Sequence, residues 1–149
     1  MGIDKSRIIF AEKLPNSEHL ARYKHADLFV DTFNYNAHTT AQEALWAGLP
    51  VITKTGESFA ARVAGSLLNA IGLSELIAAS EEAYEDLALE LATHPGRLAQ
   101  IKAKLEANCL TQPLFDTEQY TRHLETAYQM AYDLYFDGQE KQHLFVPKN

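Results

Sequence analysis

Along the first half of the chain, short apolar runs alternate with segments whose apolar residues recur every three or four positions. The run RIIFA (7–11), set off by the turn-prone GIDKS, predicts a strand, because a compact run rich in β-branched and aromatic residues suits an extended segment. PNSEHLARYKHA offers Asn16 or Ser17 as an N-cap and places Leu20, Tyr23 and Ala26 on one face, which predicts a helix of about three turns. DLFVD (27–31) predicts a buried strand. In NYNAHTTAQEALWAGLP (34–50), Ala41, Ala44, Leu45 and Ala47 take helical spacing, Gly48 stops the helix, and Pro50 opens the strand PVIT (50–53). Trp46, on the back of that helix, is expected in the core. After KTGES, the residues Phe59, Val63, Leu67, Leu68 and Ile71 predict a third helix ended by Gly72, and ELIA (75–78) predicts one more short strand.

Strands separated by helices need crossover connections, so the pattern predicts an α/β fold with a Rossmann-like parallel sheet flanked by helices. From residue 81 onward only helical spacing remains: Tyr84, Leu87 and Leu91, then Leu98, Ile101 and Leu105, then a long helix from Thr117 to about Phe136. Ser80 stands ready to cap the first of these, with acids in its first turn to complement the dipole. The last helix carries Tyr120, Leu124, Ala127, Tyr128, Ala131, Leu134 and Tyr135 in a stripe wider than one covered face requires. A partner or self-association is therefore expected there, against the alternative of ordinary core packing. The expected organisation is a single lobe over 1–149: a Rossmann-like core to about 80, helices over about 81–137, and a tail over 138–149.

Composition narrows the partners. The 149 residues carry a formal charge of -7, which argues against nucleic acid and anionic membrane surfaces; any phosphate must be held locally. One cysteine, Cys109, allows no internal disulfide and no closed zinc site, so neither metal nor cofactor is expected, and a reducing, cytoplasmic setting fits. No run approaches the ~18 apolar residues that read as a membrane span, and the N-terminus has no signal-peptide pattern.

The chemistry concentrates at His38, Thr39 and Thr40. In open parallel sheets, ligands bind beyond the carboxyl ends of strands, where loops run into helices. The first N–H groups of a helix lack internal partners and the dipole places positive charge there, so HTT before AQEALWAG fits a phosphate seat. The same pattern also fits a plain cap by Thr39 or Thr40 beside an exposed turn histidine.

Taken in order, RIIF, LPNSEHLARYKHADLFVDT, NAHTTAQEALWAGLPVIT, GESFAARVAGSLL, EAYEDLALEL and PLFDTEQYTRHLETAY closely resemble the C-terminal half of the catalytic region of the tetratricopeptide-linked O-GlcNAc transferase family, which includes SPINDLY-type proteins. The resemblance covers nearly the whole chain. It implies the donor-binding lobe of a GT-B glycosyltransferase that uses UDP-N-acetylglucosamine or a related UDP-sugar and glycosylates Ser or Thr of proteins.

By matching motif, the resemblance implies diphosphate contacts from His38, Thr39 and Thr40. It implies ribose contacts from Glu43 and from Asn16, which stands where some relatives have lysine, and uracil contacts from Leu14, His19 and Arg22. His25, His94, His123 and His143 match no role, and Arg62 reads as an exposed or loop-anchoring residue. The family's Asn-Gln-aromatic-Lys run, its acceptor-side lobe and its tetratricopeptide repeats are not in this sequence. A fragment is therefore expected, with its catalytic residues elsewhere and no transfer activity alone. The competing classes are a nucleotide-binding or interaction module without turnover, and a UDP-sugar 2-epimerase, which shares the two-lobe fold but lacks this motif set.

Overall fold

The computed structural model describes residues 2–147. A three-stranded parallel sheet lies at its centre, with strands β1 (Phe29–Val30), β2 (Val51–Lys54) and β3 (Ile77–Ala78) adjacent in that order. Phe29 pairs with Val51 and Val30 with Ile52, while Thr53 pairs with Ile77 and Lys54 with Ala78. Helix α2 (Thr39–Trp46) links the first pair and α3 (Val63–Ala70) the second, as parallel neighbours require. The expected fold class is the one observed.

The element β2 is apolar on both faces because helices cover both, and Val51, Ile52 and Thr53 are fully buried. Around it close Ala41, Ala44 and Leu45 from α2, Leu68 and Ile71 from α3 and its end, and Leu73 and Leu76 from the turn before β3. Gly48 and Gly72 stop α2 and α3 with positive φ, 83° and 73°, the conformation that L side chains resist. A Cβ on Gly72 would also come within 2.9 Å of the Asn108 amide nitrogen.

Helix α4 (Glu81–Thr93) begins under Ser80, whose hydroxyl accepts from the Ala83 N–H at 3.1 Å. It packs through Tyr84 and Leu91 against β2 and against α5 (Pro95–Cys109), whose Ile101 and Leu105 complete the core.

Several expectations change. RIIFA forms no strand: a short 3-10 turn spans Lys5–Arg7, and Ile9 and Phe10 are 86% and 90% exposed. An apolar run becomes a strand only beside a partner ladder, and this segment pairs with no strand among the described residues. Helix α1 (Asn16–Arg22) is shorter than predicted and is followed by a 3-10 turn over Tyr23–His25; its N-cap is Pro15, so neither Asn16 nor Ser17 caps it. The strand β1 ends before Asp31, whose N–H still donates to the Ile52 carbonyl while its carboxylate serves the next loop, and Phe59 lies in the turn ahead of α3. Trp46 is 60% exposed and meets Phe115 edge-on at 4.9 Å between ring centroids, so the core prediction fails. Leu45 next to it already takes the inward position.

Helix α6 (Thr117–Phe136) begins at Asp116, whose side chain accepts from the Gln119 N–H, and it buries no residue. Tyr120, Leu124, Tyr128, Tyr135 and Phe136 all stand exposed, Tyr135 to 77%, which overturns the account of this stripe as ordinary core.

Candidate functional site

The loop between β1 and α2 opens into a cavity of about 440 Å³ at the carboxyl end of β1, lined by Val30, Thr32, Tyr35, His38, Thr39 and Thr40 among others. His38 is the N-cap of α2 and makes no side-chain cap bond, so Thr39 and Thr40 are the first two helical residues rather than caps. The first helical bond of α2 runs from the Gln42 N–H to the His38 carbonyl at 3.1 Å. The N–H groups of Thr39, Thr40 and Ala41 precede it and carry the positive end of the dipole, beside two exposed threonine hydroxyls. An anion placed there meets several donors at once.

The imidazole of His38 is held from three sides. Tyr35 stacks on it at 4.8 Å with an interplanar angle of 14°, Phe59 meets it edge-on at 6.1 Å, and its Nε2 faces the Ala60 carbonyl at 3.4 Å. A carbonyl only accepts, so Nε2 carries hydrogen and Nδ1 is the nitrogen left for a ligand.

A second group sits one helical turn along. Arg22 donates to Nδ1 of His19 at 2.8 Å and to the Glu12 carbonyl at 3.0 Å. Because a guanidinium only donates, Nδ1 accepts and the remaining ring hydrogen is on Nε2, which lies 3.2 Å from the Tyr23 hydroxyl and 3.6 Å from the Glu43 carboxylate. Tyr23 in turn donates to the Thr40 carbonyl at 3.3 Å. Burial first, and then the nearby Glu43 charge, raise the Tyr23 phenol above its ordinary range. The structure thus brings His19, Arg22 and Glu43 together beside Thr40. Leu14 lies on the extended segment that Arg22 fastens through Glu12. Asn16 is exposed at the start of α1, and no hydrogen bond joins it to Glu43.

Sequence reasoning missed Asp31, Asn36, Tyr35, Phe59 and Ala60 as parts of this arrangement. Asp31 is buried behind the loop, with Tyr84 of α4 donating to its carbonyl at 2.7 Å. Burial and, second, the Asp31 charge push the Tyr84 hydroxyl up to about 12 from 10.0. Folding therefore favours the protonated phenol; its contribution is whole below pH 10 and is lost as pH rises through about 12. Denaturant titrations across that window should show stability falling in the native chain, and the fall should be shallower in Tyr84→Phe. Equal slopes in the two proteins would count against the assignment.

A parallel sheet between helices, with an uncapped helix start beyond a strand's carboxyl end, is the arrangement of a Rossmann-like α/β unit. Residues 1–124 match glycosyl transferase family 41, and the chain belongs to that family. It is 42% identical over 149 residues to the probable UDP-N-acetylglucosamine–peptide N-acetylglucosaminyltransferase SEC of Arabidopsis thaliana, covering 99% of this chain and 15% of that protein. It is 36% identical over 143 residues to the UDP-N-acetylglucosamine–peptide N-acetylglucosaminyltransferase of Caenorhabditis elegans, covering 96% of this chain and 12% of the relative. A solved structure of a mutant O-GlcNAc transferase from Thermobaculum terrenum superimposes with a TM-score of 0.72 at 36% identity, over 78% of this chain and 22% of that one. The chain thus spans about 15% of the length of the Arabidopsis relative.

Proposed function

We propose that this chain is a single lobe that binds the nucleotide of UDP-N-acetylglucosamine within a protein O-GlcNAc transferase, which passes the sugar to Ser or Thr of an acceptor protein. The observation that carries the reading is the uncapped start of α2, open to the cavity beyond β1. The diphosphate lies on the α2 N–H groups with His38, Thr39 and Thr40. Glu43 and Asn16 serve the ribose, and Leu14, His19 and Arg22 serve the uracil. Helix dipole and hydroxyls take the diphosphate charge without a metal ion. The catalytic residues belong to the remainder of a longer enzyme, which also presents the acceptor, and the exposed face of α6 supports contact with that remainder or with a second copy. A cytoplasmic setting agrees with the lone thiol of Cys109, which burial and then the Glu106 charge push up, away from the reactive thiolate. No helix among the described residues is long and apolar enough to cross a membrane.

Calorimetric titration of the chain with UDP, UDP-N-acetylglucosamine and a GDP-sugar tests the proposal. Binding of the two uridine ligands without the guanosine one is expected. Absence of UDP binding to the folded chain would overturn it.

A further inference from the structure

Asp31 is only 5% exposed and forms no ion pair among the described residues, yet every polar group it carries is bonded. One carboxylate oxygen accepts from the Ala37 N–H at 2.7 Å and the other from the Thr53 hydroxyl at 2.7 Å. Its N–H donates to the Ile52 carbonyl at 3.1 Å, and its carbonyl accepts from the Tyr84 hydroxyl at 2.7 Å. A buried carboxylate is costly unless hydrogen bonds replace its water, so these partners hold it in one place. They come from β2, from α4 and from the loop, and Ala37 is the residue immediately before His38-Thr39-Thr40. Within the loop, Asn36 donates its amide to the Thr32 carbonyl at 2.8 Å and its N–H to the Ala60 carbonyl at 2.9 Å. Tyr84 also meets Phe33 edge-on at 4.9 Å.

We infer that Asp31, backed by Thr53 and Tyr84, is a positioning residue for the diphosphate seat. Its carboxylate closes the loop from the end of β1 to Ala37 and so fixes where the uncapped N–H groups of α2 point relative to the sheet. A preformed array of donors binds an anion without an ordering cost, whereas a loose one must be arranged on binding. The inference rests on the proposal that the start of α2 takes the diphosphate. It requires that loss of the brace reduce the gain from the second phosphate while leaving the uridine contacts, which lie on α1, on the segment just before it and one turn along α2, as they are.

The test is to titrate the chain and its Asp31→Ala, Asp31→Asn and Tyr84→Phe variants with UDP and with UMP. The ratio of the two affinities is the readout, since a variant that is only less folded weakens both ligands equally. In the native chain UDP should bind about tenfold tighter or more, as one or two charge-assisted hydrogen bonds provide. Asp31→Ala should bring the ratio close to one. Asp31→Asn should restore it, because an amide can accept from Ala37 and donate to the Thr53 hydroxyl. Tyr84→Phe should lower it a few-fold, and it carries the test if Asp31→Ala does not fold. A native ratio in folded Asp31→Ala, or in Tyr84→Phe when the alanine variant is unfolded, overturns the brace and leaves the seat standing. Equal affinity of the native chain for UDP and UMP removes the seat itself.

Discussion

Replacing Thr39 and Thr40 together by alanine should weaken UDP binding by about 1–3 kcal/mol, roughly 5- to 150-fold, the usual loss for hydrogen bonds to a charged group. Both side chains are exposed at the first two positions of α2, and neither caps it. Alanine has the higher helix propensity, so the fold should be unaffected. The N–H groups, the dipole and His38 remain, which is why binding should weaken rather than vanish. The group at His19, Arg22 and Glu43 is untouched, so uridine recognition should persist. Calorimetry beside a thermal melt checks both halves of the expectation. An unchanged affinity in a folded double variant would exclude the hydroxyls from the seat.

The helix start on which the proposed seat rests was legible in the sequence because it is local. A helix start needs only the order of residues around it, and HTT before a 3.6-residue apolar pattern was enough to place the start of α2 to within two residues. The sequence left open whether a threonine caps the helix; the structure gives that position to His38, whose backbone at φ -102° and ψ -94° is non-helical. The contacts behind the loop that leads into α2 were not legible. Asp31 reaches Thr53 across 22 residues and Tyr84 reaches Asp31 across 53, and no periodicity records such pairings. The clasp of Tyr35, Phe59 and Ala60 on His38 is hidden for the same reason. RIIFA shows the converse error: its composition suits a strand, but pairing depends on a neighbour that composition does not specify. For α6 the sequence showed the stripe and not what covers it.

Leu45→Ala should cost about 2–5 kcal/mol of stability, the range for a buried leucine whose loss leaves a cavity. Leu45 is fully buried between the sheet and the helices packed on it, and its carbonyl accepts from the Cys109 thiol at 3.7 Å. For a domain whose total stability is of order 5–15 kcal/mol, that is a large fraction. Trp46→Ala removes a larger side chain from the next position, yet it should cost less, because that ring lies mostly in water and keeps chiefly its edge contact with Phe115. The comparison isolates orientation from size: hydrophobic volume alone would order the two variants the other way. Urea unfolding of both, with UDP titration of the folded protein, reads the result. Affinity should hold in each, since the seat lies at the opposite end of α2 from both residues. A greater loss of stability in Trp46→Ala than in Leu45→Ala would mean that α2 turns a different face to the sheet, and the direction of its open N–H groups would have to be drawn again.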